Sequence, residues 1–260
     1  MPSETSLEAV LKQDRAIVVG GLIGVAALAW AYLWYEARTM HCAIMDMPMS
    51  RPSLQAFGVG QAALLFAMWS FMMVAMMVPS VSPMVLVFAQ VNRKRRAQAR
   101  PFVSTGIFLL GYLAAWTGFS AIATLAQGAL HTTALLSSAM MVSSPLLGGA
   151  LLMAAGLFQL TPIKKVCLVH CRNPLSFLMT EWRDGRRGAF VMGVRHGSYC
   201  VGCCWFLMSL LFVAGVMNLA WVALISALVL AEKVLPEAAR VSVLSGWGLI
   251  GWGAWTVLAT

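Results

Sequence analysis

Between Ala16 and Tyr35 the chain carries no charged side chain, and six further apolar runs follow at 57–91, 102–128, 146–163, 189–217, 218–231 and 241–258. About 20 apolar residues in a helix reach across the ~30 Å hydrocarbon core of a bilayer. This repeated pattern predicts an all-α fold: a polytopic transmembrane helical bundle of about seven spans, in one integral membrane domain covering 1–260. Composition excludes the soluble alternative. Only 10% of residues are charged, 60% are hydrophobic, and the mean hydropathy is +0.82. A soluble domain carries roughly 25% charged residues. The lipid bilayer is therefore the expected surroundings.

Two runs depart from a plain span. The sixth has 14 residues, too few for a straight crossing, and is expected to be short or re-entrant. The second would extend about 52 Å as one helix, and Pro79 and Pro83 predict a kink or break at VPSVSP. The first run is too long for a signal-peptide core and lacks a clear small-residue cleavage site, so it reads as a retained helix.

Basic residues set the expected orientation. With the N-terminus in the cytoplasm, the inner segments are the tail 1–15, the NRKRRAQAR loop at 92–100, a Cys-bearing basic loop at 164–188, and the surroundings of Lys233 and Arg240. Of 18 Lys and Arg, only Arg38 and Arg51 then fall outside. The positive-inside rule thus predicts N-in, C-out in a bacterial inner membrane, with 36–56 as an external loop. The +9 charge follows from topology, and no aromatic-interleaved basic face points to nucleic acid.

The chemistry is carried by sulfur: 18 Met and 6 Cys against 4 His. The loop motif MHCAIMDMPM gathers His41, Cys42, Met45 and Met47, soft donors that suit Cu(I) rather than Mg²⁺ or Ca²⁺. The plain alternative is an apolar loop on the membrane surface. In MWSFMMVAMM, Met68, Met72 and Met76 recur at i, i+4, i+8, with Met73 and Met77 beside them. Residues four apart share a helix face, so thioethers could pass a soft ion along it; alternatively, they fill gaps between helices. In KKVCLVHCRNP, Cys167 and Cys171 are one turn apart with His170 between them, beside the basic Lys165 and Arg172. In HGSYCVGCCW, Cys200, Cys203 and Cys204 form an extended C-x-x-C, with His196 one turn earlier. That pattern signals metal or disulfide chemistry, although free Cys also packs as a small hydrophobe. Glu232 and Lys233 read as an interfacial pair at the end of the sixth run, with Lys233 snorkelling; metal or proton coupling by an intramembrane charge is the alternative. Gly246, Gly248, Gly251 and Gly253 read as helix-packing positions.

The runs MWSFMMVAMMVPS, QLTPIKKVCLVHCRNPLSFL, HGSYCVGCCWFLM, GVMNLAW and AEKVLP resemble an uncharacterised bacterial family described as predicted metal-binding integral membrane proteins. The resemblance covers about residues 60–240. It implies that Met72, Met73, Met76, Met77, Cys167, Cys171, Cys200, Cys203 and Cys204 are the family's characteristic positions here. The MHCAIMDMPM motif lies outside it.

The expected function is binding of a soft metal, copper as Cu(I), and its transfer or transport across the membrane. Zinc in a structural Cys/His site is the alternative metal. There is no Walker A loop and no H-E-x-x-H, and no catalytic residue is assigned. Two other readings stand beside this one. One is a membrane thiol–disulfide oxidoreductase using Cys200/Cys203 and Cys167/Cys171. The other is an assembly or scaffold subunit of a membrane complex. Partners of the expected kind are the bilayer, a metallochaperone or membrane-complex protein, and a second copy of the chain.

Overall fold

The computed structural model describes residues 4–45, 58–98, 103–133 and 144–259. Those residues are helical, with no strand among them. The helices are α1 (Glu4–Met45), α2 (Val59–Ala97), α3 (Thr105–Thr132), α4 (Pro145–Leu160) and α5 (Pro162–Arg172), then α6 (Pro174–Glu181), α7 (Gly185–Ser209), α8 (Leu211–Ala214), α9 (Leu219–Val234) and α10 (Ala238–Leu258). Five stretches are long and apolar enough to cross a membrane: Arg15–Thr39, Val59–Arg95, Thr105–Thr132, Gly185–Ala214 and Ala238–Leu258. The bent pair α4–α5 makes a sixth if it counts as one span.

This is fewer than the seven runs suggest. The fourth run is α4, 16 residues long, and the chain bends by 64° into α5. The bend is written in the sequence: Thr161 caps α5 by accepting from the Lys164 N–H, and Pro162 takes the first helical position, where no amide donor is missed. The sixth run is α9, also 16 residues, about 24 Å long.

Three expected irregular segments are helical. α1 continues through residues 36–45 of the expected external loop. α5, α6 and the start of α7 occupy most of the expected loop 164–188. α2 runs unbroken through both prolines, because other donors replace the missing amides. Pro79 cannot donate to the Ala75 carbonyl; the Trp30 indole N–H does, at 3.1 Å. Pro83 cannot donate to the Pro79 carbonyl; the Ser82 hydroxyl does, at 2.8 Å. Carbonyls freed by proline are re-satisfied by neighbouring helices and hydroxyls.

Two helix contacts organise the bundle. α3 and α7 meet backbone to backbone, since a Cβ at Gly193 would lie 2.1 Å from the Phe108 oxygen and one at Gly111 2.2 Å from the Phe190 oxygen. α4 and α10 meet in the same way through Gly149 and Gly156 against Gly253 and Gly246. Small residues permit such close approach. Gly246 and Gly253 therefore pack as expected, whereas Gly248 and Gly251 face open space. The outside of the bundle is apolar: Leu28, Leu110, Ile122, Leu125, Leu244 and Trp255 are all more than 60% exposed.

Candidate metal centre

α7 carries Cys200, Cys203 and Cys204 at i, i+3 and i+4, one face of a helix. That face points inward, and all three side chains are at most 1% exposed. α5 crosses α7 and adds Cys171, also buried. The Cys200 side chain is the hub: Cys171, Cys203 and Cys204 all lie within hydrogen-bonding reach of it. Cys203 and Cys204 also donate to the Cys200 backbone oxygen, at 3.1 and 2.9 Å. All four are free thiols.

Three further helices converge on the hub. The Tyr112 hydroxyl from α3 is 3.0 Å from the Cys200 sulfur. The glycine contact positions it, since Gly197 lies directly against the Tyr112 backbone. The Lys233 ammonium from α9 donates to the Cys200 sulfur at 2.8 Å and to the Ser80 hydroxyl of α2 at 2.9 Å. Ser80 in turn sits 3.8 Å from the Met77 thioether and donates to the Met77 carbonyl. The lower end of the methionine ladder thus reaches the cysteine cluster through two side chains. Met68, Met72, Met73, Met76 and Met77 are all buried in the core.

The remaining candidates are not joined to the hub by a hydrogen bond where their side chains are described. Cys167 is half-buried against Gly202 and stands apart from the hub, one turn from Cys171. His170 is exposed, stacked on Tyr199, with its Nδ1 2.9 Å from the Val166 oxygen. His196 is buried among the rings of Phe108, Tyr112 and Phe177, and its Nδ1 has no hydrogen-bond partner. His41, Cys42 and Met45 belong to the end of α1. Met47 lies outside the described residues.

Glu232 and Lys233 are not an interfacial pair. Both are buried. Glu232 pairs with Lys164 of α5, whose ammonium contacts both carboxylate oxygens at 2.8 and 2.7 Å. Glu232 also accepts from Gln159 at 2.9 Å and from Ser242 at 3.0 Å. Adjacent helical residues do not share a face, so the two charges are met by different neighbours. Tyr112 and Ser80 are the site members that sequence reasoning missed. Lys233 carries a signal of its own, a charge in an apolar helix, and the sequence reading holds metal or proton coupling there as its second choice.

Chemically, the cluster is a buried group of sulfurs with one ammonium, that of Lys233, in contact with it. Thiolate and thioether are donors for soft ions, Cu(I) above all. Among the described residues, no three His, Cys, Asp or Glu side chains are set to close on a metal ion as they stand. The sulfurs are gathered around Cys200 without forming a ready cage.

No curated protein and no solved structure matches the chain. A family model, PpoB2, copper chaperone, matches residues 66–256. The match covers well over half of the sequence and takes in the methionine ladder, all four clustered cysteines and Lys233, and on that ground the chain belongs to the PpoB2 copper chaperone family.

Proposed function

We propose that this protein binds Cu(I) within the bacterial inner membrane and passes it on, with Cys171 and Cys200 at the heart of the site and Cys203 and Cys204 beside them. The observation that carries the reading is the gathering of three buried thiols, from two helices, around the buried Cys200 sulfur. Membership of a copper chaperone family supports copper as the metal. Soft-donor chemistry supports the monovalent ion. The methionine column of α2 is the route by which copper reaches the cysteines, and Met77 stands at its end, 3.8 Å from the Ser80 hydroxyl that accepts from Lys233.

The membrane setting is supported by the many large apolar side chains exposed on the outer surface and by the long apolar helices. Sidedness is supported by ion pairs that draw the basic segments together. Arg95 bonds to Asp184 at 2.5 Å, and Arg195 to Glu181 at 2.6 Å. Cys200 is five residues beyond Arg195, about 7.5 Å along the helix axis, which supports a position for the thiols near the basic end, the end that the positive-inside rule assigns to the cytoplasm. Reducing conditions there keep thiols available as ligands.

The test is metal content. Full-length protein is purified anaerobically with and without Cu(I), beside a variant with Cys171, Cys200, Cys203 and Cys204 changed to Ser. Stoichiometric copper that is lost in the variant supports the reading. Zinc retained by the wild type and lost with the cysteines would make it a structural site. No metal in either protein would overturn the proposal.

A further inference from the structure

Lys233 is a buried ammonium whose counter-charge is not a carboxylate. The nearest acid in sequence, Glu232, is fully engaged by Lys164, Gln159 and Ser242. No carboxylate pairs with Lys233 among the described residues; its partners are Ser80 and Cys200. The site therefore carries a fixed positive charge in direct contact with its central sulfur.

The thiols differ in how they are tied. Cys203 and Cys204 direct their S–H groups to the Cys200 carbonyl on their own helix. Cys171 of α5 meets both Cys200 and Cys203 of α7, and of these two Cys200 is the one whose sulfur Lys233 contacts, at 2.8 Å. Two thiolates and one monovalent cation carry a net charge of −1, which Lys233 cancels. Two thiolates and a divalent cation are already neutral, and Lys233 then leaves an uncompensated charge. In a dry interior, an unmatched charge is costly and a matched one is not.

We infer that Lys233 is a specificity-determining residue: it tunes the Cys171–Cys200 pair to monovalent soft cations and against divalent ones, zinc included. The inference rests on the thiol site proposed above. Its novelty is the role of charge, since sulfur donors alone bind both classes of ion.

The experiment measures affinities of full-length protein in detergent for Ag(I) and Cd(II), two spectroscopically simple soft ions of unequal charge. It compares wild type, Lys233→Arg, Lys233→Gln and Ser80→Asp. Lys233→Gln keeps a hydrogen-bond donor without the charge. Ser80→Asp keeps Lys233 but sets a carboxylate against it. Lys233→Gln is expected to weaken Ag(I) on the order of a hundredfold while Cd(II) holds or tightens. Ser80→Asp should shift the Ag(I)-to-Cd(II) ratio in the same direction, and Lys233→Arg should keep it near wild type. An unchanged ratio in the neutral variant overturns the inference. Cd(II) binding by the wild type as tight as Ag(I) overturns it as well, whether or not any variant folds. Wild type that binds neither ion, or binds equally after Cys171 and Cys200 are changed to Ser, fails at the earlier step and sinks the thiol site itself.

Discussion

The indole N–H of Trp30 donates to the Ala75 carbonyl at 3.1 Å, the carbonyl that Pro79 cannot reach. α1 thus completes the hydrogen-bond ladder of α2 directly beside the methionine column. Trp30→Phe keeps an aromatic ring, though a smaller one, and removes the donor. It should cost about 1 kcal/mol of stability, read as a fall in thermal midpoint in detergent. Pro79→Ala restores an amide at position 79, so the same substitution in that background should cost distinctly less. Equal costs in the two backgrounds would show that the bond does not serve the proline gap.

Lys164 and Glu232 form an ion pair with side chains only 1% and 2% exposed, which ties α5 to α9. Removing one member leaves a buried charge without its partner, so Lys164→Met or Glu232→Gln should each destabilise by about 3 kcal/mol. Changing Lys164→Met and Glu232→Gln together should cost less than the sum of the two single changes, because no orphan charge remains. Chemical unfolding of the four proteins checks this. Additive losses would mean that the pair is not coupled. Copper stoichiometry in whatever folded fraction survives should stay at the wild-type value, since neither side chain touches the thiols.

How much of this could be read beforehand varies residue by residue. The C-x-x-C spacing places Cys200, Cys203 and Cys204 on one face of a helix whatever surrounds it, so that cluster was legible. The parting of Cys167 from Cys171 was not. It depends on where α5 points after its 64° bend, a tertiary angle with no local spelling beyond Thr161-Pro162. Glu232 and Lys233 looked like a surface pair because an i, i+1 spacing hides that their side chains leave the helix in different directions. Tyr112 gave no signal at all, since its approach to Cys200 exists only because Gly111, Gly193 and Gly197 let α3 and α7 touch. Pro79 and Pro83 pointed to a kink or break, yet α2 is unbroken there, because the replacement donors include Trp30, 45 residues away from the carbonyl it serves.

That glycine contact makes a prediction about both stability and metal binding. A Cβ at Gly193 would lie 2.1 Å from the backbone oxygen of Phe108, an atom that cannot swing aside. Gly193→Ala should therefore push α3 from α7, cost about 2 kcal/mol, and draw Tyr112 away from Cys200. Gly248→Ala, where nothing lies within 4 Å, should be neutral in the same melting assay. Competition against a chromophoric Cu(I) chelator should show weaker copper binding in Gly193→Ala only. Wild-type melting and affinity in that variant would contradict the packing described here.

Cys167 and Cys171 offer the sharpest separation of sequence pattern from site. They are one helical turn apart, of one chemistry, and flanked by the same basic residues. Yet Cys171 reaches Cys200 and Cys203, while Cys167 rests half-buried against Gly202. Cys171→Ser replaces a soft donor by a hard one at the bridging position, and Cu(I) affinity should fall on the order of a hundredfold or more. Cys167→Ser should leave affinity within about a factor of three, since surface substitutions away from a site usually act weakly. The same chelator competition, run anaerobically on the two single variants, decides it. Equal losses would mean that the metal draws both thiols together, and the site would have to include the outer turn of α5.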